Sequence, residues 1–123
     1  MPMVLIVNDD SAFQKQLRTA FGQGSGFDAC IEARKGAEAL AKTKLRSPDL
    51  VILDFSLPDM SGLQLAEELK AITAELPIFL LTTDYNVKLE KKALSCGITA
   101  VFSKLDDLAT LLANARAISG DGS

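Results

Sequence analysis

The stretch "LVILD", Leu50 to Asp54, places four apolar residues in succession and ends on a carboxylate. A strand with one face in water alternates apolar and polar side chains, whereas an unbroken apolar run has both faces buried. "IFLLT" (78–82) has the same character. Both faces of a strand are covered when helices pack on the two sides of a parallel sheet. The residues after Asp54 agree: "LPDMSG" (57–62) is rich in turn residues, and Leu65, Leu69 and Ile72 then recur at helical spacing.

Outward from that stretch, "VLIV" (4–7), "FDACIEA" (27–33) and "AVFS" (100–103) complete a set of five apolar runs. Between them lie amphipathic segments. Phe13, Leu17, Ala20 and Phe21 form one apolar stripe, and Leu108, Leu111, Leu112 and Ala115 form another. Ser11 followed by Gln14 has the form of a capping box, which predicts a helix start there. Chain breakers fall between the elements, at Gly22 to Gly26, Ser47-Pro48, Pro58, Pro77 and Gly97. Strands and helices thus alternate, and the expected architecture is a doubly wound α/β domain with helices on both faces of a parallel sheet. The domain is expected over residues 1–118, with "SGDGS" (119–123) a disordered tail. The segment "NVKLEKKALSCG" (86–97) has the weakest stripe and predicts the least firmly docked helix.

A chain of 123 residues suits a single domain. Its formal net charge of -3 argues against a surface that grips nucleic acid. It has no histidine, which removes Ser-His-Asp and Cys-His catalysis and imidazole zinc sites. Cys30 and Cys96 lie outside any CxxC pattern and read as buried thiols of a reducing cytoplasm. No leader is expected ahead of the first strand, and no apolar run approaches the roughly 20 residues that span a bilayer. The expectation is a cytoplasmic protein without a membrane segment.

In a doubly wound sheet, ligands bind beyond the carboxyl ends of the strands. The first strand there delivers Asn8, Asp9 and Asp10; the third Asp54; the fourth Thr82 and Thr83; the fifth Ser103 and Lys104. Gathered carboxylates repel one another, and burial raises the cost of ionising them. A hard divalent cation offsets that, and Mg2+ prefers one or two carboxylates, waters and a phosphate oxygen. A carboxylate beside such a cation can serve as a nucleophile toward phosphorus, with a hydroxyl and a lysine holding the other phosphoryl oxygens.

The motifs "VNDD" (7–10), "LVILDFSLPDMSGLQL" (50–65), "PIFLLTT" (77–83) and "GITAVFSKL" (97–105) resemble the receiver (CheY-like) domain of bacterial response regulators in two-component signalling. The likeness runs from Val4 to about Ile118 and includes the spacing of Asp9, Asp54, Thr82 and Lys104. It implies a flavodoxin-like sheet of five parallel strands in the order 2-1-3-4-5. By resemblance, Asp54 is the phosphoacceptor, charged from a phosphohistidine of a sensor kinase or histidine phosphotransfer protein. Asp9, Asp54 and the backbone carbonyl of Ser56 would hold Mg2+, with Asn8 acting indirectly and Asp10 a lesser candidate. Thr82, Lys104 and, more weakly, Thr83 would bind phosphoryl oxygens. The resemblance implies an output partner, or an output domain not in this chain, and no turnover enzyme of the ordinary kind.

Three positions depart from the family pattern. Asn8 stands where an acid usually helps hold the metal through water. At ~5 Å and an effective dielectric near 20 the lost charge is worth roughly 3 kcal/mol before screening, which predicts weaker Mg2+ binding. Val101 replaces the aromatic that usually moves with the hydroxyl residue, Thr82, when the switch is thrown. Phe102 cannot substitute, because neighbouring strand side chains face opposite ways. Leu105 stands where a proline commonly follows the lysine. These departures favour an alternative, a pseudo-receiver that binds partners without phosphorylation. Asp9, Asp54, Thr82 and Lys104 oppose it. An aspartate-nucleophile phosphatase of the haloacid dehalogenase type would need an acid at Ser56.

Overall fold

In the computed structural model, which describes residues 2–22, 26–104 and 107–119, strands and helices alternate along the chain. The strands are β1 (Met3–Val7), β2 (Ala29–Ala33), β3 (Leu50–Asp54), β4 (Ile78–Thr82) and β5 (Ala100–Ser103). The helices that come after them in turn are α1 (Ser11–Ala20), α2 (Gly36–Leu45), α3 (Gly62–Ile72), α4 (Val87–Ser95) and α5 (Leu108–Ser119). All strand pairs are parallel, and the order across the sheet is β2-β1-β3-β4-β5. Leu105 and the tail beyond Ser119 lie outside the described residues.

Every residue of β1, β3 and β4 is buried, as the unbroken apolar runs imply. Alternate side chains divide between two cores. Leu5, Val7, Val51, Leu53 and Leu80 pack with Leu65, Leu69 and Ala93 on the side of α3 and α4. Val4, Ile6, Ile52, Phe79 and Leu81 pack with Leu17 and Leu111 on the side of α1 and α5. Val101 belongs to the first core and Phe102 to the second, where its ring lies 5.0 Å from that of Phe79. The aromatic at 102 therefore cannot serve the neighbouring position.

The start of α1 corrects one expectation. The cap is Asp10, whose carboxylate accepts the N–H groups of Ala12 and Phe13. Ser11 is already helical, and Gln14 does not reach back to it. Gln14 is buried and donates its side-chain amide to the carbonyls of Asn8 and Ala33 instead. A carboxylate one residue ahead of the serine is the better acceptor for free helix N–H groups, so it takes the cap. The second apolar run is also shorter as a strand: Phe27 turns into the core edge-on to Phe21, at 5.6 Å. Cys30 and Cys96 are free and half-buried rather than fully buried.

As its stripe implies, α4 is loosely held. Ala93 is its one buried residue, while Val87 and Leu94 are 59% and 48% exposed. Past its C-cap, Cys96, the chain turns at Gly97, whose positive φ of 93° suits a residue without a β-carbon. No described helix is long and apolar enough to cross a membrane.

Candidate functional site at the carboxyl edge of the sheet

Parallel strands end on one edge, and the register levels their last residues. Val7 pairs with Leu53, Asp54 with Leu81, and Thr82 with Ser103. Asn8, Asp54, Thr82 and Lys104 are thereby brought together, as the order of motifs predicts. Asp54 is 8% exposed and carries two contacts on the same oxygen. Its Oδ2 accepts the Lys104 ammonium at 2.7 Å and the Asn8 side-chain amide at 3.3 Å. Lys104 is held in turn by its backbone N–H on the Thr82 carbonyl, and its ammonium lies 4.8 Å from the centre of the Phe13 ring.

The loop after β3 keeps Asp54 at the rim. Phe55 N–H donates to Leu81 O, Gly62 N–H donates to Phe55 O, and Ser56 pairs with Ser61 across the turn. A β-carbon at Gly62 would lie 2.5 Å from the Asp54 carbonyl oxygen, so only glycine permits this close approach. Farther along the loop, Asp59 accepts the N–H groups of Gly36 and Ala37 and so caps α2 from outside that helix. Those two bonds hold its carboxyl below the usual range.

An open cleft of about 490 Å3 adjoins Asp54 and is lined by Ser56, Thr82, Thr83, Asp84, Leu89 and Lys104, among others. Thr82 is buried, and its hydroxyl accepts the Asp84 N–H at 3.0 Å. Thr83 is exposed. Val101, buried beneath, presents no ring.

The acids converge less than their sequence positions imply. Asp10 is engaged as the α1 cap, and Asp9 is exposed, its backbone carbonyl accepting a bond from Arg34. Among the described residues no group of three acidic, cysteine or histidine side chains forms a metal-binding cluster. Asn8 differs from expectation too: its side-chain oxygen faces the Asp10 N–H at 2.6 Å, and its NH2 faces Asp54. The external cap by Asp59 went unread in the sequence, although a signal was present. Lys35, at the N-cap position of α2, has no acceptor to offer, so one must come from elsewhere.

A doubly wound α/β domain with one buried, ion-paired carboxylate at its carboxyl edge is the class that fold and site define. The chain belongs to the response regulator receiver domain family, which matches residues 4–116, and is a receiver of two-component signalling. It is 36% identical over 76 residues to the chemotaxis protein CheY of Bacillus subtilis, covering 62% of this chain and 63% of that protein. It is 34% identical over 119 residues to the phosphate regulon transcriptional regulatory protein PhoB of Pseudomonas aeruginosa, covering 92% of this chain and 51% of that protein. The fold matches Vibrio cholerae chemotaxis protein CheY4 with a TM-score of 0.86 at 26% identity, over 96% of this chain and 98% of that one. The BeF3-activated receiver domain of Klebsiella pneumoniae RstA gives 0.84 at 26%, over 95% and 97%. The chain spans between half and two thirds of the length of these curated relatives.

Proposed function

We propose that this receiver takes a phosphoryl group on Asp54 from a phosphohistidine of a sensor kinase or histidine phosphotransfer protein. The observation that carries the reading is the setting of Asp54: a nearly buried carboxylate, open to a cleft, with Lys104 at 2.7 Å and Thr82 on the same rim. A carboxylate oxygen attacks phosphorus, the P–N bond to the donor imidazole breaks, and that nitrogen leaves with its electron pair and takes up a proton. Phosphoryl transfer asks mainly for positioning and charge stabilisation. Lys104 is poised to move from the carboxylate to a phosphoryl oxygen, and the Thr82 hydroxyl and Thr83 reach others.

The donor set suits Mg2+ at its minimum. Two carboxylates, Asp9 just past β1 and Asp54 at the end of the neighbouring β3, would with the Ser56 carbonyl supply hard oxygens and leave places for water and phosphate. Asn8, whose Oδ1 serves the Asp10 N–H, and Asp10, whose Oδ1 caps α1, stand beside that set as the lesser candidates. When bound, the cation supplies neutralisation of the charge that builds on the phosphoryl oxygens.

Engagement of Thr82 with a phosphoryl group frees the Asp84 N–H and loosens the segment between β4 and α4. Because α4 buries only Ala93, with Leu89 half-buried beside it, its surface has little packing to undo. That change is read by an output protein or by an output domain beyond this chain, in the cytoplasm, with no direct contact to nucleic acid or membrane by the receiver itself. The intact Asp54–Lys104 pair argues for a phosphorylated switch rather than a pseudo-receiver.

The test is to incubate the protein with Mg2+ and a small phosphodonor and to weigh it intact. One phosphoryl adduct is expected on the wild type and none on Asp54→Ala. Absence of an adduct from the wild type with every donor and Mg2+ concentration overturns the proposal.

A further inference from the structure

Asn8 is 1% exposed, and every polar group it owns is engaged. Its backbone N–H donates to Ala33 O at 3.0 Å, and its backbone carbonyl accepts from Gln14 at 3.3 Å. Its Oδ1 accepts the Asp10 N–H at 2.6 Å, and its Nδ2 donates to Asp54 Oδ2 at 3.3 Å. The orientation of the side chain is set by these partners. A backbone N–H can be met only by the amide oxygen, so the NH2 is left facing the carboxylate. Turned over, the amide would set donor against donor at Asp10 and acceptor against acceptor at Asp54. The oxygen already serves the Asp10 N–H, so a metal-bound water would have to share it through its second lone pair.

We propose that Asn8 is a positioning residue that makes the resting site complete without a divalent cation. Together with Lys104 it satisfies Asp54 Oδ2, and Mg2+ binds appreciably only when a phosphoryl group adds its own oxygens. An aspartate at position 8 would keep one oxygen on the Asp10 N–H and aim the other at Asp54 Oδ2. Two negatively charged acceptors at that separation repel, and a cation between them resolves the conflict. Asn8→Asp thus turns a metal-indifferent resting site into a metal-requiring one. The resting role of Asn8 depends only on geometry, whereas the part played by the phosphoryl group rests on the phosphoacceptor reading of Asp54.

Thermal melts of the wild type, Asn8→Asp and Asn8→Ala, in chelator and in millimolar Mg2+, test this at one neutral pH, with calorimetry for metal affinity. Mg2+ alone is expected to shift the wild-type melt by less than about 1 °C, because a ligand far below its Kd contributes almost nothing. Asn8→Asp melts lower than wild type in chelator, recovers in Mg2+, and binds the metal at least about tenfold more tightly. A variant that folds only in Mg2+ supports the proposal equally. Asn8→Ala, which loses the donor without adding charge, melts lower but stays indifferent to Mg2+. The proposal is overturned if Mg2+ alone stabilises the wild type as much as Asn8→Asp, if Asn8→Asp ignores the metal, or if Asn8→Ala acquires a Mg2+ response. Adding BeF3 with Mg2+ separates the two claims. A raised wild-type melt supports cation binding with the phosphoryl mimic. An unmoved melt, with the contrast between variants intact, removes the phosphoryl half and leaves the resting role of Asn8 standing.

Discussion

The carboxyl edge of the sheet has two halves built on different plans. Around β1 and β3 the chain is wired shut: Asn8 and Gln14 are buried and bonded, Asp10 caps α1, and Asp59 caps α2 from across a loop. Around β4 and α4 the same edge opens into a cleft, and the helix beside it buries one residue. Asp54 sits on the border. A reacting carboxylate gains from fixed neighbours, since its geometry is then set before the donor arrives. A surface that must change gains from having little packing to undo. One edge supplies both because its strands are shared while its helices are not.

The largest expected effect separates the two halves by packing. Leu69→Ala in α3, fully buried, should cost about 2–5 kcal/mol in denaturant unfolding. Leu94→Ala in α4, 48% exposed, should stay within about 0.5 kcal/mol. Equal costs would break the comparison.

At the border, Lys104→Ala removes the cation on Asp54 Oδ2 and leaves that oxygen the Asn8 amide among the described residues. A loss of about 1–3 kcal/mol is expected, because a nearly buried carboxylate keeps its desolvation cost without its cation. Lys91→Ala on the exposed side of α4 should leave the unfolding midpoint unchanged.

A smaller effect concerns Asp59 and carries a pH signature. Its carboxyl is held below the ordinary value in the folded chain by the Gly36 and Ala37 N–H groups, so its contribution is full above the unfolded pKa and fades as pH falls through the folded one. Asp59→Asn should therefore melt lower than wild type at neutral pH, with the gap closing in the acid range below the usual aspartate value. A gap that persists there would mean the cap acts through shape rather than charge.

Smallest of all is a difference in thiol chemistry. Burial on β2, with Glu32 nearby, pushes the Cys30 thiol up to about 11. Alkylation near neutral pH should accordingly be slow at Cys30, and mass mapping should find Cys96, at the end of α4, labelled first. Rapid labelling of Cys30 would show that the β2 side opens more readily than its contacts imply.

Much of this was legible in the residues. The runs at 50–54, 78–82 and 100–103 are strands to the residue, because buried parallel strands carry their signal in unbroken apolar sequence. The weak stripe at 86–97 foretold a loosely held helix for the same reason. The Asn8–Asp54 contact was half legible: position and chemistry were visible, but the direction of an amide depends on its partners, and Asp10 N–H is a backbone group that no side-chain pattern announces. Ser11 and Gln14 matched a capping box in form, while the stronger acceptor lay one residue earlier. Asp59 reaches a helix that starts 23 residues before it, so spacing within a segment could not reveal the bond.

The central claim is that the fixed half presents Asp54, and no other acid, to phosphorus. Its most direct test is to charge the wild type with a small phosphodonor and Mg2+, trap the acyl phosphate by borohydride reduction, and map the product by peptide mass. The expected result is reduction confined to the peptide that contains Asp54. Reduction at Asp9, Asp10 or Asp59, or a stable ester on Ser56 or Thr82, would contradict it.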